Sequence, residues 1–215
     1  MQKSAKEVLE HSDDLEKQLD DFIKNGELDE AGKQGLIDEL YEVAELDYLA
    51  KWDIPITGPG GKGFLGGQKL GRKEIKLWIS KIDEISNGKA VLKIIDETND
   101  TLKGVQAGFN PFTMEIFVKK GVTEYEIFHE FKHLEEFIKL EKDEYVKGMK
   151  AISGDNGQDL IRTYKREMYV YNQVLKESNK FNKEQLKHAY ERNIKPVLDE
   201  LESSGIDINK IKITK

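Results

Sequence analysis

The chain of 215 residues is 38% apolar with a formal charge of −7, which is enough apolar content to bury one core and carry an appendage. It lacks any long basic run, so it has no cationic footprint for a phosphate backbone, and no nucleic acid partner is expected. Cysteine is absent, leaving only nitrogen and oxygen ligands for a metal. No stretch reaches the ~18 consecutive apolar residues of a membrane span, and the charged opening "MQKSAKEVLEHSDDLEKQ" lacks a signal peptide's apolar segment, so a soluble chain is expected.

Residues 1–50 read as an N-terminal helical hairpin. Val8, Leu15, Leu19 and Phe22 share one face, Asn25 and Gly26 break the pattern, and Leu36, Ile37, Leu40, Tyr41, Ala44 and Tyr48 resume it. His11 falls at the edge of the first apolar face. Residues 51–215 form the second expected unit. It opens with seven glycines between Gly58 and Gly71. Gly58, Gly60 and Gly63 match a dinucleotide fingerprint formally, but Pro55 and Pro59 disrupt the strand that this fingerprint requires, and Phe64 stands where a Walker lysine would follow. A surface loop or a lid beside the substrate is expected there.

A helix is predicted over 72–85, a strand in "KAVLKIID", and a second strand over 114–120 after "AGFNPF". The rest reads as helix, over 158–178 and over 182–203 with a kink at Pro196, before an alternating tail "IDINKIKIT" that predicts an edge strand. The chain is thus α+β, mostly helical, with a small β-sheet preceding the segment that carries the chemistry.

That segment is "TEYEIFHEFKHLEEF". Thr123 followed by Glu126 is a capping-box signature that starts a helix near 124. At helical spacing Ile127, Phe131, Leu134 and Ile138 form a core stripe, and His129 and His133 lie about 40° apart on the opposite side. Phe128 and Phe137 fit neither side, so the helix should be packed on more than one flank, where two imidazoles need partners. The pattern His129, Glu130, Phe131, Lys132, His133 is H-E-x-x-H. Its spacing lets two imidazoles from successive turns reach one ion, while the glutamate between them can act as general base toward a water activated by the metal.

A catalytic zinc needs a third protein ligand. Lys139 and Glu136 occupy the positions where one protease class has its third histidine and a glycine. The other source is a carboxylate on a later helix. In "QDLIRTYKREMYVYNQVLKE", Glu167 falls within the stripe of Leu160, Ile161, Tyr164, Met168, Tyr171, Val174 and Leu175, whereas Arg162, Lys165, Arg166, Gln173 and Lys176 take the other side. A carboxylate in that stripe needs compensation, either from a buried Arg or Lys or from a metal shared with His129 and His133. Glu136 is expected in solvent or behind the ligands. Tyr169 and Tyr171 read as core or interface aromatics. His188, off the stripe of Leu186, Tyr190, Ile194, Val197 and Leu201, lies either at the surface or over the site as a transition-state donor.

"AGFNPFTMEIFVKKGVTEYEIFHEFKHLEEF", "REMYVYNQVL" and "FNKEQLKHAYERN" together resemble the zincin-like metallopeptidase toxin domains at the C-terminal ends of bacterial polymorphic toxins, over about residues 55–195. The resemblance implies a gluzincin-like site, with zinc held by His129, His133 and Glu167 and with Glu130 as general base. It also implies that strand 114–119 is the edge strand that pairs with an extended protein or peptide substrate. Delivery into a target cell and an immunity protein are implied as well. Arg166 precedes Glu167 where thermolysin-like enzymes carry asparagine. The alternative reading is a catalytically inactive zincin-like binding module, or a helical adaptor whose histidines are accidental.

Overall fold

Alternating side chains in "VLKII" and "EIFVK" make two strands whose inward residues Leu92, Ile94, Ile116 and Val118 are all buried. The computed structural model describes residues 61–96, 100–102 and 104–213. The expected hairpin over 1–50, with His11, lies outside the described residues.

Three strands form one sheet in the order β1-β3-β2, with β1 at Val91–Ile95, β2 at Ala107–Asn110 and β3 at Glu115–Lys119. β3 runs parallel to β1, with Leu92 opposite Ile116, and antiparallel to β2, with Phe109 opposite Ile116. The expectation of an edge strand over 114–119 is therefore corrected, because β3 is central and β2 is an edge of this sheet. The sequence reading passed over β2 because "AGFN" is short and carries a glycine, which blurs the alternation. Its turn was legible in principle: Asn110 Oδ1 accepts from the backbone N–H of Phe112 at 2.9 Å, the Asx device that folds β2 back onto β3.

The helices of the described residues are α1 (Arg72–Ser86), α2 (Glu124–Val146), α3 (Lys150–Ser153), α4 (Asn156–Lys176), α5 (Lys183–Glu191) and α6 (Lys195–Ser203). None is long and apolar enough to cross a membrane. The helix expected over 182–203 is two helices rather than one kinked helix. Pro196 falls in the first turn of α6, where its missing N–H leaves no helical bond unmade. The tail also departs from expectation. Asp207 accepts from the N–H of Asn209 at 3.0 Å and closes a 3-10 turn over Ile208–Lys210, and this local bond competes with the edge strand that the alternation predicted.

α2 is the central element, packing on β2, β3, α1 and α4. Its capping box forms as read, with Glu126 Oε2 accepting from the N–H of Thr123 at 2.8 Å. Ile127, Phe128, Phe131, Leu134 and Phe137 are all buried, so α2 is enclosed on several flanks. Ile138, expected in the core stripe, is 37% exposed. Phe137 fills the space instead, packing edge-on against Phe109 and Tyr145. Beyond Leu140 the helix bends at Glu141, whose φ of 61° and ψ of 162° lie outside the helical region.

Between α2 and α4 lies a buried ion pair that decides between the two places expected for Glu136. Glu136 is fully buried, and the Arg166 guanidinium donates to its Oε1 at 2.6 Å. Glu136 is thus not in solvent and Arg166 is not on a wet face, because the stripe of α4 is wider than its apolar residues and a paired charge can enter it.

Two stability measurements follow from these contacts. Removing one member of the buried pair leaves the other charge stranded, so Glu136→Gln should lower unfolding free energy by about 3 kcal/mol in urea titration, and Glu136→Leu with Arg166→Met should lose much less. Burial, helped by the charge of Glu130, pushes the Glu126 carboxyl up to about 7 against the opposing Thr123 hydrogen bond. A carboxyl raised on folding contributes stability that is complete below about pH 4.5 and is lost as pH rises through about 7. Glu126→Gln keeps the cap acceptor without the charge, so it should match wild type near pH 5 and gain on it by on the order of 2 kcal/mol at pH 8.

Candidate metal centre

The capping box sets the phase of α2, and that phase aims His129 and His133 from successive turns at α4. Their imidazoles lie 5.0 Å apart, centroid to centroid. Glu167, near the middle of α4, meets both of them: its Oε2 is 3.5 Å from His129 Nε2 and its Oε1 is 3.4 Å from His133 Nε2. One donor atom from each of the three residues falls within 4.8 Å of the others, and the group could hold a metal ion.

These separations are informative in themselves. Charge-assisted N–H···O contacts close to about 2.7–2.9 Å, and these do not. In a tetrahedral site with bonds of about 2.1 Å, neighbouring ligand atoms stand about 3.4 Å apart. Each imidazole nitrogen therefore stands from its nearer carboxylate oxygen at about the separation of two ligands on one ion. Glu167 Oε2 is also buried, and its approach to His129 Nε2 at 3.5 Å is too long for a well-formed hydrogen bond. The buried arginine that could have compensated Glu167 is committed to Glu136 instead.

Electrostatics give the same sense. Burial would raise the Glu167 carboxyl, yet the charges and N–H groups of His133 and His129 outweigh it and hold it well below the usual carboxylate range. Burial would lower His129, and the hydrogen bond and charge of Glu167, with the charge of Glu130, raise it above the ordinary imidazole value. The carboxylate thus demands positive charge between the two rings, which a divalent cation supplies directly.

Glu130 sits beside the triad and is buried. Burial pushes its carboxyl up, partly offset by His129 and His133, and the backbone N–H of Phe109 on β2 donates to it. One cleft wall of about 490 Å³ includes Phe64, Leu65, Val105, Tyr125, His129, Glu130 and His188, and a second of about 360 Å³ opens beside His133 and Glu167. Val105, Ala107, His129, Glu130 and Asn193 border both, so the triad lies between two cavities along the edge of β2. The described part of the glycine-rich loop contributes Phe64 and Leu65 and is tied down where the amide of Asn182 donates to the Leu65 carbonyl at 3.0 Å. Phe64 and Leu65 thus place this part of the loop beside the cleft.

Of the residues singled out from sequence, His129, Glu130, His133 and Glu167 come together, and His188 takes the cleft wall, not the outer surface. Its Nδ1 is 3.0 Å from the Tyr125 hydroxyl and its ring packs edge-on against Phe64. Burial lowers its pKa, with the charges of His129 and Arg192 acting in the same direction. Tyr169 is buried, as expected of a core aromatic, and Tyr171 packs against Tyr190. The sequence reading missed Tyr125, Tyr145, Asn193 and β2. Tyr125 was within reach, one turn before His129 on the same helix face, whereas Tyr145 and Asn193 arrive only through tertiary folding.

No curated protein and no solved structure gives a significant match to the chain. The model of the family described as Metallopeptidase toxin 4 matches residues 65–197, a span that takes in the sheet, the triad, Glu130 and His188. Since that match covers more than half of the chain, the protein belongs to the Metallopeptidase toxin 4 family, and the mostly helical α+β fold with its sheet ahead of the histidine helix is a metallopeptidase toxin domain.

Proposed function

We propose that the chain is a zinc-dependent peptidase that hydrolyses peptide bonds in a protein of a target cell, acting as a delivered toxin that an immunity protein restrains in the producing cell. The observation that carries the enzymatic part is the convergence of His129, His133 and Glu167, one donor atom of each within 4.8 Å of the others, with Glu130 alongside. The delivery and the immunity partner rest on the toxin family alone.

His129, His133 and Glu167 would hold the ion, and all-nitrogen-and-oxygen ligation suits zinc in a chain without cysteine. When bound, zinc polarises the scissile carbonyl and makes water a nucleophile near neutral pH. Glu130, with its pKa raised by burial, accepts the proton of the attacking water as the new C–O bond forms. It then hands that proton to the amide nitrogen as the C–N bond breaks. The N–H of Phe109 steadies the carboxylate throughout. His188, anchored at Nδ1 by Tyr125, leaves its Nε2 to donate to the oxygen that gains negative charge. The edge of β2 that no strand covers among the described residues offers its remaining backbone groups to an extended substrate strand running between the two cavities.

Elemental analysis after zinc loading and dialysis should find about one zinc per chain in wild type and a sharply reduced amount in His133→Ala and Glu167→Ala. A wild-type chain that takes up no zinc would remove the zinc-peptidase reading altogether. Glu130→Gln should keep its zinc but lose at least about 100-fold in cleavage of a fluorogenic peptide library, together with growth inhibition on expression in bacteria. Cleavage undiminished in that variant would overturn the role of Glu130, and zinc binding with no cleavage by wild type would favour an inactive binding module.

A further inference from the structure

The bend in α2 has a geometric consequence at the metal centre. In a straight helix, residues 133 and 145 would stand about 18 Å apart along the axis, at 1.5 Å per residue. In this protein the Tyr145 hydroxyl lies 3.3 Å from His133 Nδ1. The contact exists because the chain leaves the helical conformation at Glu141, so that the last turn of α2 folds back on the first four. A side chain other than glycine at positive φ is strained, and its surroundings must hold it there.

Those surroundings converge on Tyr145. Its ring packs edge-on against Phe109 at 6.0 Å and Phe137 at 5.4 Å. The Arg166 guanidinium lies 4.9 Å from the ring centroid and is itself anchored on buried Glu136. Arg162 Nε donates to the Tyr145 carbonyl at 3.0 Å, and Arg166 donates to the neighbouring Glu144 carbonyl at 3.4 Å. Two arginines of α4, one of them adjacent to Glu167, thus hold the returning turn of α2 in place.

We infer that Tyr145 is a positioning residue for the metal ligand His133, and that the bend at Glu141 serves to deliver its hydroxyl to Nδ1. This rests on the zinc reading above. A hydroxyl both donates and accepts. With a proton on His133 Nε2, facing Glu167, Tyr145 donates to Nδ1. With Nε2 given to a metal, the proton sits on Nδ1 and Tyr145 accepts it, so one side chain serves both tautomers and fixes the ring plane in each. A carboxylate in the same place would accept only. His129 Nδ1 is buried with no partner among the described residues, so the device belongs to His133 alone.

The test is zinc affinity of the full chain, measured by competition with a chromophoric chelator, for wild type, Tyr145→Phe and Tyr171→Phe. Tyr145→Phe keeps the ring and its packing, and it should bind zinc at least about tenfold more weakly. Tyr171→Phe removes a hydroxyl from a ring that packs on Tyr190 and lines neither cavity, and it should change zinc affinity by less than about twofold. In zinc-loaded wild type, the His133 Nδ1–H resonance should be visible and slow to exchange with water, and it should broaden in Tyr145→Phe. Equal zinc affinity in wild type and Tyr145→Phe, or an equal loss in both tyrosine variants, overturns the inference while leaving the zinc site standing. If Tyr145→Phe unfolds, the Nδ1–H resonance of wild type decides: fast exchange at that proton overturns the inference. A wild type that binds no zinc fails the underlying reading, and the inference with it.

Discussion

The centre of this protein is arranged around the carboxylate of Glu167. Largely enclosed, with its side chain 21% exposed, it faces two imidazoles at distances too long for tight ion pairing. A carboxylate taken into the interior without compensation is costly, and its nearest basic neighbour in sequence, Arg166, is turned away to Glu136. The fold therefore favours positive charge beside Glu167, where His129 and His133 meet it, and places the buried carboxyl of Glu130 next to it. The same charge demand accounts for the opposite movements of the Glu167 and His129 pKa values.

Meeting that demand requires α2 and α4 to stand in one register to within a fraction of an ångström. The Glu136–Arg166 pair acts on this register. Such a pair adds little net stability over apolar residues of the same shape, yet any slip that separates its members strands a charge. Arg166 is next to Glu167 and Glu136 is three residues after His133, so the helix faces that carry the ligands are locked by the residues beside them. Tyr145 joins the same network through its ring and its main chain, and packing, charge and ligand orientation are set together.

Much of the cleft is built by elements outside the triad. β2 supplies the N–H that reaches Glu130 and, among the described residues, an edge paired on one side only, the glycine-rich loop supplies apolar Phe64 and Leu65, and α5 supplies His188 with its Tyr125 support. Loops and strand edges vary more freely than the helices behind them, so the cleft walls can change while the triad stays in place.

Local spacing was enough to find the three residues that could hold a metal. H-E-x-x-H is a statement about one helix face, the capping box fixed where that helix starts, and Glu167 betrayed itself as a charge within an apolar stripe. Each of these is a property of neighbours along a single element, where sequence separation and spatial separation are tied by the helical repeat. What joined them was not legible. That Arg166 goes to Glu136 and leaves Glu167 to the histidines depends on the crossing of α2 and α4. That β3 is central depends on a four-residue strand hidden by its glycine, and that Tyr145 reaches His133 depends on one backbone break at Glu141. The sequence by itself determined which side chains could be brought to one centre, because their pattern is local and periodic. Only the tertiary structure decided which partner each one meets, because a buried charge takes its partner from whatever the packing of distant segments brings within reach.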